Sequence, residues 1–160
     1  MKHLPRYLVA LVFAAIIGPL HAGGFGTQAE AKAMAVKAAQ LVKEIGMEAA
    51  REPIHNRNGP FIDRDMYVFA YDNAGTALLH GMKPHLVGKN LLYFRDMGGE
   101  LLVHKMLGVE PGSTRWIEYL WPDIATGGAF KKISYVIREN GYFIGVGVRK
   151  NPLKYVSAGK

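Results

Sequence analysis

The sequence predicts an α+β fold in which a long N-terminal helix lies on one face of an antiparallel sheet. Three observations predict it. An Ala-rich stretch from Thr27 to Arg51 carries apolar residues at helical spacing, and from Met66 onward the period shortens to that of strands. The strands then follow one another through tight turns, without the regular helical crossovers that a parallel sheet requires.

The helix opens on Thr27 with Glu30 three residues later, a capping box in which hydroxyl and carboxylate satisfy amides that the first turn leaves unpaired. Met34, Ala38, Leu41, Val42 and Ile45 form its apolar stripe, opposite Lys32, Gln40 and Lys43. Pro53 is expected to end it. Met66 to Tyr71 and Thr76 to Leu79 read as a hairpin around Asp72-Asn73-Ala74-Gly75, with Gly75 free to take positive φ. Glu100 to Leu107 reads as a short helix and Trp116 to Trp121 as an alternating strand. Lys131 to Glu139 and Tyr142 to Arg149 meet across Asn140-Gly141, a dipeptide suited to a type I′ turn. In the last strand Gly145 and Gly147 share a face, where something approaches the backbone closely; the long helix is favoured over a ligand.

At 160 residues the chain holds one domain, large enough to bury a core without disulfides. Lys2 and Arg6, the apolar run Tyr7 to Ile17, and Gly18, Pro19 and Ala22 read as an export signal at 1–22, cut after Ala22. Leu20 fits the position three before the cut poorly, so a retained anchor is the alternative, although the run falls short of the roughly 20 residues that a bilayer span needs. The domain then covers 23–150, with a tail at 151–160. The chain is expected to be periplasmic or secreted. The absence of cysteine excludes disulfides, thiol catalysis and Cys-ligated zinc. The net charge of +7 falls to +5 without Lys2 and Arg6, and the basic residues are dispersed, so no nucleic-acid partner is expected. No HExxH, GxSxG or Gly-rich phosphate loop occurs, and the histidines show no i, i+4 pair. Neither metal, cofactor nor catalytic residue is expected.

DRDMYVFAYDNAGTALLHGMKPHLVGKN at Asp63 to Asn90, RWIEYLWPD at Arg115 to Asp123 and KKISYV at Lys131 to Val136 are short motifs whose order and spacing together resemble the Cache family, closest to its single Cache type, over Phe25 to Lys150. Cache domains are extracytoplasmic sensor modules of bacterial chemoreceptors and sensor kinases. The resemblance implies a PAS-like sheet architecture and a pocket between the sheet and its covering loops for a short-chain carboxylate such as acetate, propionate, pyruvate or lactate. Three positions depart from the family pattern. Lys83 replaces an Asn before the loop proline, and Ile124 replaces the second proline of WPNP while Asp123 adds a carboxylate.

Given a carboxylate ligand, Lys132 is the first candidate, because a small anion has little apolar area and draws affinity from charge-assisted hydrogen bonds. Its alternative is a solvated strand-edge lysine. Tyr119 and Trp121 share strand parity with Ile117 and could present ring donors on one face. Tyr135 has the opposite parity to Lys132, so without a bulge only one of the two can face the ligand. Tyr67 is expected in the core with its hydroxyl reaching the pocket, and His80 could donate to an anion or serve as a structural histidine. Arg64, between Asp63 and Asp65, reads as a local ion-pair cluster.

The function expected is therefore an exported, non-enzymatic, sensor-type binding domain. With no downstream membrane helix or output domain in the sequence, its signal is expected to pass through a separate membrane receptor or transporter. The alternatives are a small exported hydrolase using Asp and His, which would turn its ligand over, and an interaction module with a vestigial pocket, which would bind none.

Overall fold

A computed structural model describes residues 24–150; the expected export signal and C-terminal tail lie outside the described residues. Helix α1 (Gln28–Ala49) begins at the predicted capping box, with Glu30 N donating to Thr27 Oγ1 at 3.3 Å and Thr27 N donating to Glu30 Oε2 at 2.7 Å. Its buried stripe is Ala31, Met34, Ala35, Ala38, Ala39 and Val42. Four alanines there bring the helix backbone close to the sheet. Gly46, at φ +82°, breaks the helical geometry, and Ile45, expected in the stripe, is exposed at the break. Pro53 does not end the helix. It falls in the first turn of α2 (Arg51–His55), where its missing N–H forfeits no intrahelical bond.

The strands are β1 (Ile62–Asp63), β2 (Met66–Asp72), β3 (Ala77–His80), β4 (Thr114–Asp123), β5 (Gly128–Arg138) and β6 (Tyr142–Arg149), with α3 (Leu102–Leu107) before β4. The sheet runs β1-β2-β6-β5-β4, β3 also pairing with β2, and every pairing is antiparallel. The two-residue β1 is too short to carry a sequence period. Gly75 takes φ +83° in the β2–β3 turn as predicted. The β5–β6 hairpin also forms where predicted, but neither Asn140 nor Gly141 has positive φ, so its turn is not type I′. Asn140 O accepts from Asn73 Nδ2 at 3.0 Å, and Arg138 Nη2 donates to Asn73 Oδ1 at 2.7 Å. These tertiary ties between the two hairpins oppose the local preference of the Asn-Gly pair.

The sheet separates two cores. One lies under α1, where Val68, Ile133, Tyr135, Ile144, Val146 and Val148 meet the alanine stripe. The other lies on the opposite face, where Phe69, Tyr71, Ile117, Tyr119, Val136 and Phe143 meet α3. The glycines of β6 face this second side, correcting the expectation that they admit the helix. A Cβ on Gly145 would stand 2.8 Å from Phe69 Cζ; one on Gly147 would overlap the Ser134 hydroxyl and stand 2.8 Å from Lys132 Cε. The helix packs instead on the branched residues between them, which fill the gap that its small side chains leave.

Candidate ligand-binding site

Strand period brings the candidates together. Tyr119 and Lys132 are directly opposed across β4 and β5, and Trp121 lies one same-face position further along β4, opposite Phe130. His80 is opposed to Phe69 across β2 and β3, and its ring stacks on Tyr67 with centroids 5.0 Å apart. Tyr119 and Trp121 meet edge to face at 5.7 Å. Tyr67, His80, Tyr119 and Trp121 thus converge on one side of the sheet.

They line a partly enclosed cavity of about 150 Å³. Its floor is the sheet, through Phe69 and Tyr71; α3 closes one side with Leu102, Val103 and Met106, and the loops after β3 supply Leu86, Leu91 and Phe94. Asp96 ties this covering segment to β4. Its Oδ2 accepts from Leu120 N at 2.9 Å, and its Oδ1 accepts from Gly98 N and Glu100 N at 2.9 Å each. Burial acts to raise the Asp96 pKa, but the amide donors together hold its carboxyl below the usual range.

Lys132 lies outside this cavity, against the wall formed by Tyr67 and Trp121. Those two rings also line an adjoining open cleft of about 260 Å³, together with Lys132, Arg149, Asp123 and Phe130. The Lys132 side chain is 3% exposed, not a solvated strand-edge group. Its Nζ stands 4.4 Å from the Tyr67 ring centroid and 5.6 Å from that of Trp121, and donates to the Tyr67 hydroxyl at a long 3.4 Å. No carboxylate among the described residues forms an ion pair with it. The neighbouring guanidiniums are neutralised: Arg149 by Asp123 at 3.1 Å, and Arg64 by Glu30 at 2.6 Å and Asp63 at 2.7 Å. Arg64 is thus the local ion-pair cluster that its flanking aspartates suggest.

Desolvation lowers the Lys132 pKa to about 8, partly opposed by the charge of Asp65. The His80 pKa is lowered to about 4, chiefly by burial and then by Lys83, so the ring is neutral at physiological pH. His80 Nδ1 accepts from Lys83 N at 3.1 Å, which leaves the proton on Nε2. Burial pushes the phenols of Tyr67 and Tyr119 above their ordinary pKa, so both are neutral. The Tyr119 hydroxyl pairs with Ser134 Oγ at 2.8 Å. The wall therefore offers neutral donors beside the Lys132 ammonium, and Lys83, from the loop after β3, also lines the cavity.

Tyr135 does not join them. Its odd register in β5 turns it to the α1 side, where its hydroxyl donates to Thr114 Oγ1 at 3.0 Å and Lys32 Nζ sits 5.5 Å over its ring. No bulge intervenes between it and Lys132, so parity excludes it. Sequence reasoning missed Phe69, Phe94, Asp96, Ser134 and the α3 residues. Phe69 shares parity with Tyr67 and Tyr71, a signal that was there to find. Gly147 was noticed but assigned to the wrong neighbour. Its missing Cβ makes room for the Lys132 stem, so Gly147→Ala is expected to cost about 1–3 kcal/mol by overpacking and to break the Tyr119–Ser134 hydrogen bond. Chemical denaturation measures that cost, and an unchanged midpoint would refute the close packing.

Among the described residues, no group of three or more His, Cys, Asp or Glu side chains is placed to hold a metal ion, and no helix is long and apolar enough to cross a membrane. A family model described as Single Cache domain 2 matches residues 19–153. The chain belongs to that single Cache family. Cache domains are extracytoplasmic sensor modules for small molecules, and the helix-on-antiparallel-sheet architecture is theirs. A periplasmic sensor domain of a chemotaxis protein superposes with a TM-score of 0.63 at 24% identity, over 76% of this chain and 94% of that one. A methyl-accepting chemotaxis protein from Vibrio parahaemolyticus gives 0.61 at 23% identity, over 76% and 86%. A Cache chemosensory domain described by its carboxylic acid recognition gives 0.56 at 20% identity, over 74% and 84%. At these identities the likeness is one of fold. Among curated proteins none matches.

Proposed function

We propose that this Cache domain binds a small carboxylate outside the cytoplasm and releases it unchanged, with the carboxylate held by Lys132 beside the Tyr67 and Trp121 rings. The observation that carries the reading is the Lys132 ammonium, buried beside a preformed cavity without an ion pair among the described residues. An isolated charge in a desolvated site is costly unless something neutralises it, and a ligand carboxylate would do so while accepting charge-assisted hydrogen bonds. Support from relatives is the family and the neighbour described by carboxylic acid recognition. Exported by the segment at 1–22, the domain at 23–150 would act through a separate membrane receptor or transporter.

A thermal-shift screen of small carboxylates on the exported protein tests this, since a ligand at 100 times its dissociation constant adds about 2.7 kcal/mol. The reading fails if no carboxylate moves the transition. It also fixes a pH dependence. Carboxylates are ionised throughout pH 6–9, so only the protein titrates. Below a Lys132 pKa of about 8 the ammonium is intact and binding is full. Above it, affinity is expected to fall by roughly tenfold per pH unit, and binding near that pKa takes up a proton that binding at pH 6 does not. Calorimetry in buffers of different ionisation enthalpy reads both effects. Affinity that stays flat from pH 6 to 9 would remove Lys132 from the site.

A further inference from the structure

We infer that the site selects a carboxylate with an apolar tail of several carbons over two-carbon or hydroxylated acids. The inference rests on the carboxylate reading above and adds the ligand's tail. Tyr67 and Trp121 belong to the walls of both the open cleft and the enclosed cavity. A carboxylate on Lys132 therefore sits at the junction, with its tail directed between the rings.

Polar groups gather at that junction: Lys132 Nζ donates to the Tyr67 hydroxyl at 3.4 Å, His80 stacks on Tyr67 at 5.0 Å, and Tyr119 meets Trp121 edge to face at 5.7 Å. Leu102, Val103 and Met106 from α3, with Leu86, Leu91 and Phe94 from the covering loops, make most of the remaining lining apolar, and Lys83 is the charged member of that lining. A space of about 150 Å³ accommodates a benzene-sized group, or roughly four to five chain carbons. The methyl of acetate would leave most of that wall without contacts.

Charge fixes the head group and hydration selects the tail. Arg149 and Arg64 are neutralised by Asp123, Asp63 and Glu30, so the junction presents a single unpaired cation among the described residues. One carboxylate balances it. A tail hydroxyl would lose its hydration against the apolar part of the lining.

Calorimetry on the exported protein across the straight-chain series from acetate to octanoate, with lactate, tests the inference. Affinity is expected to rise roughly three- to fourfold with each methylene up to the five- or six-carbon acid and then to level or fall. Lactate is expected to bind more weakly than propionate. Leu86→Phe, which fills the cavity without touching Lys132, should move the optimum to shorter acids. Tightest binding by acetate or lactate overturns the selection and leaves the carboxylate reading standing, as does a Leu86→Phe variant that weakens all acids equally. Should Leu86→Phe fail to fold, the wild-type series alone decides. If no acid of any length binds, the carboxylate reading itself fails and takes this inference with it.

Discussion

Lys132→Ala is expected to weaken carboxylate binding by about 1–3 kcal/mol, or one to two orders of magnitude, because it removes a desolvated, charge-assisted donor. Titration calorimetry at pH 7 measures this directly, and an unchanged dissociation constant would end the assignment. The companion variant Lys132→Met separates binding from folding. It keeps the stem that packs against Gly147 and removes a charge that the ligand-free protein holds at 3% exposure without an ion pair. Binding should fall while stability rises, since an apolar group replaces an uncompensated buried cation. A structural lysine would give the opposite sign, with stability falling in both variants. The pH dependence of folding carries the same signature. The Lys132 pKa is lowered in the fold, so its cost to stability is present below about pH 8 and is relieved as pH rises from there towards the unfolded value near 10.5.

Phe143→Ala is expected to cost about 3–5 kcal/mol, the largest stability effect of any substitution considered for this domain. Phe143 is fully buried beneath the cavity floor, stacked on Tyr71 at 5.4 Å and edge-on to Phe69 at 6.4 Å. The sheet backbone and the helix-side core behind it have little freedom to collapse into the space it would vacate. Removing the ring also withdraws support from Tyr71 and Phe69, which line the cavity. Urea denaturation gives the magnitude. A loss below about 1 kcal/mol would mean that the second core relaxes freely, contrary to the close packing of its rings.

What the sequence made legible follows from which signals are local. The capping box at Thr27 and Glu30 formed as expected because both partners lie within one helical turn. Strand parity placed Tyr119, Trp121 and Lys132 on one face and excluded Tyr135, because alternation survives any arrangement of strands. Parity does not say which face meets the helix. Gly145 and Gly147 were therefore turned towards the wrong core: their environment depends on β6 lying between β2 and β5, a pairing distant in sequence. For the same reason Lys132 could be chosen as a ligand group while its position outside the enclosed cavity stayed hidden. Asn140-Gly141 marked the hairpin but not its turn, which is tied to Asn73 across the sheet. Gly46 was unreadable as a break because a glycine within a helical pattern is often tolerated.

The covering segment has a second duty that its place above the cavity conceals. Strand β4 is the last in the sheet, and an unpaired margin invites pairing with foreign chains. Here Leu120 N donates to Asp96 Oδ2, Leu120 O accepts from Met97 N at 3.1 Å, and Glu118 O accepts from Lys105 Nζ at 3.0 Å. Roof and guard rail are therefore one piece of chain. Any excursion wide enough to swing Asp96 and Met97 off β4 strips the rim of its hydrogen bonds at the moment the chamber opens, which ties solute exchange to colloidal risk.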